Sequence, residues 1–300
     1  MIIGISGAAG FIGHHLKKRL KSKGHQVIGI DNFQWSTVED SEVEEMDVRN
    51  RLEIDRLIQQ VDVVCHLAAQ ISVDKSIANP QETIDINVNG TLNVLEACVK
   101  HKKKLVFASS SEIYGTSQSG FMSESHPLDA QSVYGASKIM GVRLCKAYYD
   151  TYGLDVSILR SFNTFGPGQR MDSYGGVIAI FTDRVLKGLP PRIYGTGEQK
   201  RDYIWIEDAL AGYELAISTD LKGKPMNIAS GISYSVNDIA KMICEKINPS
   251  IKPQHIEERK GEVQELKGDI SFAQSLGFRL KTDFEKNLQE YINIEKQNYV

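Results

Sequence analysis

The feature that most constrains the fold is a glycine-rich loop between a short apolar run and an amphipathic stretch. Ile2–Ser6 is the apolar run, residues 7–13 form a GxxGxxG loop, and Phe11–Ser22 has apolar side chains at helical spacing. Gln26–Ile30 then forms a second β-type run. This order predicts a strand–loop–helix–strand unit in which a pyrophosphate can approach the backbone at a helix N-terminus. We therefore expect a dinucleotide site at this loop.

The alternation of strand and helix patterns continues, which predicts an α/β fold with a Rossmann doubly wound parallel sheet. After Asn163, Gly and Pro become frequent and the strands shorten, so we expect a smaller α/β substrate-binding lobe. The predicted domains are residues 1–162 for the dinucleotide and 163–300 mainly for the substrate, with room for the chain to cross between them. The later predicted elements are strand Val61–Leu67, helix Val88–Lys100, strand Lys104–Ser109, helix Ser132–Tyr152 and strand Asp155–Ser161.

Charge and composition limit the classes of partner that we expect the protein to bind. The 300 residues carry a net charge of −3, so we expect no binding to nucleic acid or to an anionic membrane. The basic stretch at 17–23 is interpreted as a solvated helix face. Cys65, Cys98, Cys145 and Cys244 lie far apart, which favours buried free thiols over disulfides or a metal site. Without an apolar run of membrane-spanning length, a cytoplasmic protein is expected.

An acidic residue at the end of the second strand indicates which dinucleotide binds. Asp31 follows Gly13 by 18 residues, where a carboxylate can accept hydrogen bonds from a ribose diol and repel a 2′-phosphate. The following Asn32 brings no compensating positive charge. The sequence therefore predicts NAD over NADP. Asp47 and Val48 suit the adenine end, although an ordinary acidic loop explains Asp47 nearly as well.

A tyrosine and a lysine four residues apart form the candidate catalytic pair. Tyr134 and Lys138 share one face of the predicted helix. A nearby ammonium and a cationic nicotinamide ring would stabilise the phenolate and make Tyr134 a usable base. Ser110 lies at the carboxyl end of a predicted strand and can contact the same substrate oxygen. A chance YxxxK pair and a polar serine loop are the plainer alternatives.

Six motifs in register then carry a resemblance to a known family. The sequence resembles the extended short-chain dehydrogenases/reductases, and more narrowly the nucleotide-sugar epimerase/dehydratase family, from Ile2 to about Gly277. The motifs are GAAGFIG at 7–13, HLAAQ at 66–70, SSSEIYG at 109–115, YGASK at 134–138, SFNTFGPGQR at 161–170 and RDYIWIEDAL at 201–210.

The resemblance implies roles for individual residues. Tyr134 would be the base, Lys138 would hold the NAD ribose, Ser110 would orient the sugar hydroxyl and Glu112 would be a further acid/base group. It also implies a homodimer built from the helix near 91–100 and the Tyr134 helix. The implied cofactor-binding residues are Gly7, Gly10, Phe11, Ile12, Gly13, Asp31, Asn32, Asp47, Val48, Leu67, Ala68, Ala69, Gln70, Asn87, Ala108, Tyr134 and Lys138. The implied residues for the nucleotide-diphosphate sugar are Ser110, Asn163, Val177, Arg192, Tyr194, Arg201, Tyr203, Arg259 and Glu262.

The reaction depends on the residues around Ser111. In this family a 4-keto sugar forms first, and epimerases, 4,6-dehydratases and decarboxylases then diverge. Deoxyhexose dehydratases carry Thr-Asp-Glu where this chain has Ser110-Ser111-Glu112, and a serine hydroxyl is a poor general acid. The sequence favours a UDP-hexose 4-epimerase. A dehydratase, a UDP-glucuronate decarboxylase and a 4-ketosugar reductase stay open, whereas a non-enzymatic NAD sensor is disfavoured because Tyr134 and Lys138 are both intact.

Overall fold

The chain forms alternating strands and helices over most of its length. The computed structural model describes residues 1–36, 38–117, 120–172, 175–258, 263–281 and 283–299. In chain order the strands are β1 (Ile2–Ser6), β2 (Gln26–Asp31), β3 (Val43–Glu45), β4 (Val63–His66), β5 (Lys104–Ser110), β6 (Val156–Ser161), β7 (Asn163–Phe165), β8 (Arg192–Tyr194), β9 (Lys200–Trp205), β10 (Pro225–Ile228), β11 (Ser233–Ser235) and β12 (Gln254–Ile256). The helices are α1 (Phe11–Ser22), α2 (Arg51–Gln59), α3 (Val73–Ala78), α4 (Pro80–Ile84), α5 (Gly90–His101), α6 (Val133–Tyr152), α7 (Val177–Leu186), α8 (Ile206–Ser218), α9 (Val236–Ile247), α10 (Ser271–Ser275) and α11 (Phe284–Asn298).

A seven-stranded sheet forms the centre of the larger lobe. Its strand order is β10-β6-β5-β4-β1-β2-β3, and every neighbouring pair is parallel. Helices α1 and α8 pack together on one face of the sheet, and α2, α5 and α6 cover the other. The central strands β1, β4 and β6 are buried on both faces, as a doubly wound sheet requires. The predicted Rossmann architecture is confirmed.

The predicted elements agree closely with the structure where the prediction depends on a local sequence pattern. The first helix begins and ends where its periodicity and flanking glycines predict, at Phe11 and Ser22. The strand predicted over 61–67 is shorter, and the helix predicted from Val88 is preceded by a π-helical turn over Asp85–Asn89. That turn continues from α4, so the helical backbone starts before the apolar pattern does.

The smaller lobe contains two short sheets and helices α7, α9 and α11. One sheet has the order β11-β9-β7 and the other pairs β12 with β8. The chain also returns to the larger lobe, because α8 packs against β5 and β6 and β10 pairs with β6 at the sheet edge. The division between residues 162 and 163 stays a prediction of where most of each lobe lies.

The interpretation of the basic stretch as a solvated face is wrong for one residue. Lys17 is only 2% exposed, and its ammonium lies 2.6 Å from a carboxylate oxygen of Asp40 and 3.1 Å from one of Glu42. These ion pairs fasten the loop after β2 to helix α1. A buried lysine needs such partners, and they are supplied by residues more than 20 positions away, beyond the reach of helical periodicity.

All four cysteines are free and buried, as predicted. Among the residues that the structure describes, no His, Cys, Asp and Glu side chains gather in a way that could hold a metal ion. None of the described helices is long and apolar enough to cross a membrane.

Candidate active site

The glycine loop is held in a shape that admits little besides glycine. Gly7 has a φ of +77°, in the left-handed region, and a Cβ on Gly13 would lie 2.0 Å from the Gly7 carbonyl oxygen. Gly10 is the N-cap of α1 and offers no side-chain cap, so the first N–H groups of the helix are left for another partner. These glycines line a cavity of about 390 Å³ together with Phe11 and Ile12. The loop therefore fits a pyrophosphate, as a dinucleotide requires.

Asp31 closes the far side of this loop. Its carboxylate accepts hydrogen bonds from the backbone N–H groups of Ala9, at 3.0 Å, and Phe33, at 2.9 Å. Burial raises the pKa of Asp31, and these backbone hydrogen bonds lower it in part. Asp31, Asn32 and Val48 all line the cavity. The carboxylate therefore borders the cavity, and its contact with the adenosine ribose stays a prediction.

Asp47 is placed differently. It does not line the cavity, and its carboxylate is held by the guanidinium of Arg49, at 2.7 and 2.8 Å, and by the amide of Asn32, at 2.9 Å. The hydrogen bonds from Arg49 hold the pKa of Asp47 far below its ordinary value. Asp47 therefore holds the side chain of Asn32, which lines the cavity. A direct contact between Asp47 and adenine stays a prediction.

The segment after β4 contributes some residues to the cavity wall and buries another. Leu67, Ala68 and Ala69 line the cavity, whereas Gln70 is buried behind them. Asn87 accepts a hydrogen bond from the Gln70 backbone N–H at 2.8 Å and donates to the Gln70 carbonyl at 2.9 Å. It also donates to the hydroxyl of Ser137 on α6 at 2.9 Å. Asn87 thus joins the cavity wall to the helix that carries Tyr134.

The candidate catalytic residues meet at the carboxyl end of β5. Tyr134, Lys138, Ala108 and Ser110 all line the cavity, and Ser110 lies near enough to Tyr134 to affect its pKa. Ser132 caps the start of α6 by accepting a hydrogen bond from the Gly135 N–H at 3.0 Å. Glu112 and Ser111 follow in a 3-10 turn, and neither lines the cavity.

The pKa values of Tyr134 and Lys138 in the polypeptide differ from those expected when Tyr134 acts as a base. Burial raises the pKa of Tyr134 to about 12, although the nearby Ser110 hydroxyl acts in the opposite direction. Burial also lowers the pKa of Lys138 to about 8. The polypeptide alone therefore leaves Tyr134 as a neutral phenol at neutral pH, and lowering its pKa requires a further positive charge in the cavity.

The residues predicted for the substrate are only partly brought together. Asn163, Val177 and Tyr203 line the cavity. Arg192 and Tyr194 lie on exposed positions of β8, and Arg201 is buried and donates to the Lys200 carbonyl at 3.0 Å. Arg259 and Glu262 lie outside the described residues, so their predicted contacts stay predictions.

Several lining residues were missed from the sequence. Gln169 and Arg170 belong to the SFNTFGPGQR motif, in which the resemblance implies a substrate contact for Asn163 alone. Arg170 and Lys138 are the cations among the described lining residues, and Arg170 pairs with Asp172. Trp35 also lines the cavity, and nothing in its loop indicated that position.

Comparison with known proteins agrees with this geometry. The profile of the "NAD dependent epimerase/dehydratase family" matches residues 3–229. A putative UDP-glucose 4-epimerase of Methanocaldococcus jannaschii is 35% identical over 98% of both chains. A UDP-N-acetyl-alpha-D-glucosaminuronate decarboxylase of Bacillus cytotoxicus is 32% identical over 96% of this chain and 95% of its own.

A solved structure extends the similarity to three dimensions. The UDP-glucose 4-epimerase of Thermotoga maritima, crystallised with UDP-glucose, matches 99% of both chains with a TM-score of 0.95 and 30% identity. The cavity therefore lies in a fold shared over its whole length with an enzyme of this class. The chain is a member of the NAD-dependent epimerase/dehydratase family, and its cofactor is NAD.

Proposed function

We propose that this enzyme is a UDP-hexose 4-epimerase. One observation carries the choice of reaction. Tyr134, Lys138 and Ser110 line the cavity, but Ser111 and Glu112 do not. A 4,6-dehydratase needs a second acid/base pair facing the sugar, whereas a 4-epimerase needs only the group that exchanges a proton with the 4-hydroxyl. The epimerases of M. jannaschii and T. maritima among the relatives support the same choice.

The residues divide the work between holding and proton transfer. The glycine loop, Asp31 and Lys138 would hold NAD, which when bound supplies the acceptor for the hydride at C4. Tyr134 would accept the proton of the 4-hydroxyl and later return it. Ser110, which lines the cavity near Tyr134, would orient that hydroxyl. Tyr134 is only 8% exposed, which keeps competing water away from the transferred proton.

The electrostatics of the pair explain why the base would act only in the loaded enzyme. Burial keeps the pKa of Tyr134 near 12 in the polypeptide. The positive charges of Lys138 and of an oxidised nicotinamide ring both favour the phenolate. Without the ring's positive charge the pKa of Tyr134 would rise again, so Tyr134 would keep the proton taken from the 4-hydroxyl until it gives that proton back to the sugar. Proton transfer and hydride transfer would thereby be coupled through the buried hydroxyl of Tyr134.

The substrate contacts are proposed from position. Asn163, Val177 and Tyr203 would contact the sugar nucleotide within the cavity. Arg192, Tyr194, Arg201, Arg259 and Glu262 stay our proposed contacts for the diphosphate and nucleoside, because guanidinium groups bind phosphate oxygens through two hydrogen bonds. UDP-glucose is the first substrate to test.

A decarboxylase or dehydratase is the second candidate. The charge of Glu112 lies close enough to contribute to raising the pKa of Tyr134, so a modest movement of the 3-10 turn would bring this carboxylate to the sugar. The B. cytotoxicus decarboxylase is a relative of nearly the same length. A 4-ketosugar reductase would release its cofactor in every cycle, so NAD retained through purification would count against it.

The deciding experiment compares the products. The protein is incubated separately with UDP-glucose, UDP-N-acetylglucosamine and UDP-glucuronate, and products are examined by mass and proton NMR. An epimerase leaves the mass unchanged and inverts C4, a dehydratase removes water, and a decarboxylase removes carbon dioxide. Glu112→Gln, with Ser111→Ala as its neighbouring control, should leave an epimerase largely active. A loss of water or carbon dioxide that depends on Glu112 would replace our proposal.

We also propose that two copies associate through α5 and α6. These helices pack side by side, and α6 leaves Met140 (44% exposed) and Tyr152 (60% exposed) facing outward. A second copy of the same surface would cover them as a four-helix contact. Light scattering coupled to gel filtration should give twice the chain mass, and Met140→Glu should shift it toward the monomer. A monomeric native protein would contradict this assembly.

A further inference from the structure

A tight turn after β7 leads two residues into the candidate active site. It is closed by a hydrogen bond from the Gln169 N–H to the Gly166 carbonyl at 3.4 Å. Its middle residues are Pro167 and Gly168, and the φ of Gly168 is +78°, which is typical of a type II turn. Gln169 and the following Arg170 both line the cavity. The shape of the turn therefore sets where these two side chains lie.

The backbone of this turn has one acceptor that the turn itself does not satisfy. The Pro167 carbonyl takes no part in the hydrogen bond that closes the turn, so it needs a donor from elsewhere. His15 on α1 supplies that donor, because its Nε2 atom lies 2.8 Å from the Pro167 oxygen across 152 positions of sequence. A carbonyl oxygen only accepts, so Nε2 carries the proton in this contact. His15 thus joins the helix after the glycine loop to the turn after β7.

His15 also contacts a residue beside the glycine loop. Phe11, which lines the cavity, meets the His15 ring edge to face, with 5.5 Å between ring centres and an angle of 85°. The turn runs close to the same helix, since a Cβ added to Gly166 would lie 3.5 Å from the Phe11 ring and 2.5 Å from a methyl group of Ile206. Packing against α1 and α8 therefore fixes the start of the turn, and His15 fixes its middle.

The charge balance of the cavity indicates why the position of Arg170 matters. Lys138 and Arg170 are the cations among the described lining residues, and Lys138 is held by the Ala108 carbonyl. The glycine loop offers backbone N–H groups to one pyrophosphate, whereas a sugar nucleotide brings a second one. A guanidinium binds phosphate oxygens through two hydrogen bonds. The ion pair of Arg170 with Asp172 is partly exposed and therefore weak, so a phosphate can replace the carboxylate.

We propose that His15 is a positioning residue for substrate binding. It holds the Pro167 carbonyl so that Gln169 and Arg170 face the sugar nucleotide, and Arg170 contacts the diphosphate. The inference rests on the proposed function in one respect, namely that the ligand beside NAD is a sugar nucleotide. His15 is not among the described lining residues, so its effect on the ligand passes through the turn.

The test separates the hydrogen bond of His15 from its ring. His15→Phe keeps a ring against Phe11 and removes the donor, whereas His15→Gln places an amide N–H near the position of Nε2. Isothermal titration of the NAD-containing protein with UDP should give a Kd about fivefold higher for His15→Phe and a nearly native Kd for His15→Gln. The kcat of His15→Phe should change by less than about twofold, because a lost binding contact raises KM alone. His25→Phe, in the turn after the same helix, is the control and should bind UDP as the native protein does.

The outcomes separate this inference from the proposed function. Unchanged UDP affinity in His15→Phe, or an equal loss in His15→Phe and His15→Gln, would overturn the positioning role alone. Loss of bound NAD from His15→Phe would also overturn it, because the turn would then serve the cofactor. The kcat is measured with whichever sugar nucleotide the native protein converts, so a different reaction would overturn only the proposed epimerase. A native protein that binds no UDP would count against both.

A double-mutant cycle tests whether the effect passes through Arg170. Arg170→Gln should weaken UDP binding about tenfold in the native protein. In the His15→Phe protein the same change should cost clearly less, because the displaced guanidinium has already lost contact with the ligand. Additive losses would overturn the link between the two residues. Should His15→Phe fail to fold, His15→Asn replaces it, since its amide is one methylene shorter than that of His15→Gln. Equal UDP affinities of these two variants would overturn the role of the hydrogen bond.

Discussion

The ammonium of Lys138 donates a 3.0 Å hydrogen bond to the carbonyl oxygen of Ala108. Ala108 lies two residues before Ser110 on β5, and Lys138 lies one helical turn after Tyr134 on α6. This single contact fastens the helix that carries the proposed base to the strand that carries Ser110. The proposed proton-transfer groups are therefore held by two rigid elements, which gives single substitutions there interpretable effects.

Replacement of Tyr134 by Phe should abolish turnover without loss of NAD. The change removes one hydroxyl from a buried ring, and a positioned acid/base group contributes about 10²- to 10⁴-fold to rate. We expect kcat with UDP-glucose to fall by about 10³-fold, while the NAD released on denaturation stays stoichiometric. Tyr149→Phe, a partly exposed tyrosine on the same helix, is the control. Substantial activity in Tyr134→Phe would remove this residue as the base.

Replacement of Gly13 by Ala should destabilise the protein and weaken NAD binding. The added Cβ would meet the Gly7 oxygen at 2.0 Å and Ala8 Cα at 2.9 Å, and both are backbone atoms that cannot move away cheaply. We expect a loss of about 2 kcal/mol in the free energy of unfolding, measured by urea denaturation. Gly10→Ala, whose nearest contact would be 3.2 Å, should cost clearly less. Equal losses would contradict the steric explanation.

His66 should make the protein acid-sensitive. Burial, with a smaller contribution from the Lys138 charge, lowers the pKa of His66 from 6.5 to about 3, and its ring contacts the hydroxyls of Ser6 at 2.7 Å and Thr91 at 3.0 Å. Between these two pH values the unfolded chain binds a proton that the folded chain does not. The free energy of unfolding should therefore fall as pH drops from about 6.5 toward 3, by up to about 1.4 kcal/mol per pH unit from this group.

The variant His66→Gln isolates that contribution. A glutamine does not titrate in this range and can still hydrogen bond to Ser6 or Thr91. Urea denaturation at pH 7, 6, 5 and 4 should show a shallower decline for the variant than for the native protein. Parallel curves would mean that other groups cause the acid sensitivity.

Asp31 should set the preference for NAD over NADP. Asp31→Asn keeps the shape of the side chain but removes the charge that repels a 2′-phosphate. We expect NAD binding to weaken about tenfold and the discrimination against NADP to shrink, because the ribose diol loses a charged acceptor. Titration of protein fluorescence with each cofactor measures both effects. An equal loss for NAD and NADP would indicate that Asp31 only supports the backbone at Ala9 and Phe33.

The residues that were predicted well are those whose signals are short in sequence. The glycine loop, Asp31 and the Tyr134–Lys138 pair each depend on spacing within one loop or one helix turn, and all of them line the cavity. Trp35 and Arg170 also line it, but their positions depend on how loops from two lobes meet. A pattern among neighbouring residues carries no information about how loops from two lobes pack together.

Sequence alone determined the strand–loop–helix–strand unit and the use of NAD, because periodicity, glycine spacing and one carboxylate are properties of neighbouring residues. Tertiary structure alone decided which polar groups lie behind the site and which face it. Asn87 joins Gln70 to Ser137 across 17 and 50 positions, Lys17 pairs with Asp40 in a separate loop, and Ser110 lines the cavity whereas Ser111 and Glu112 do not. Burial and pairing of this kind arise only when separate segments of the chain pack against each other. The glycine loop gains its contacts with other segments in the same way.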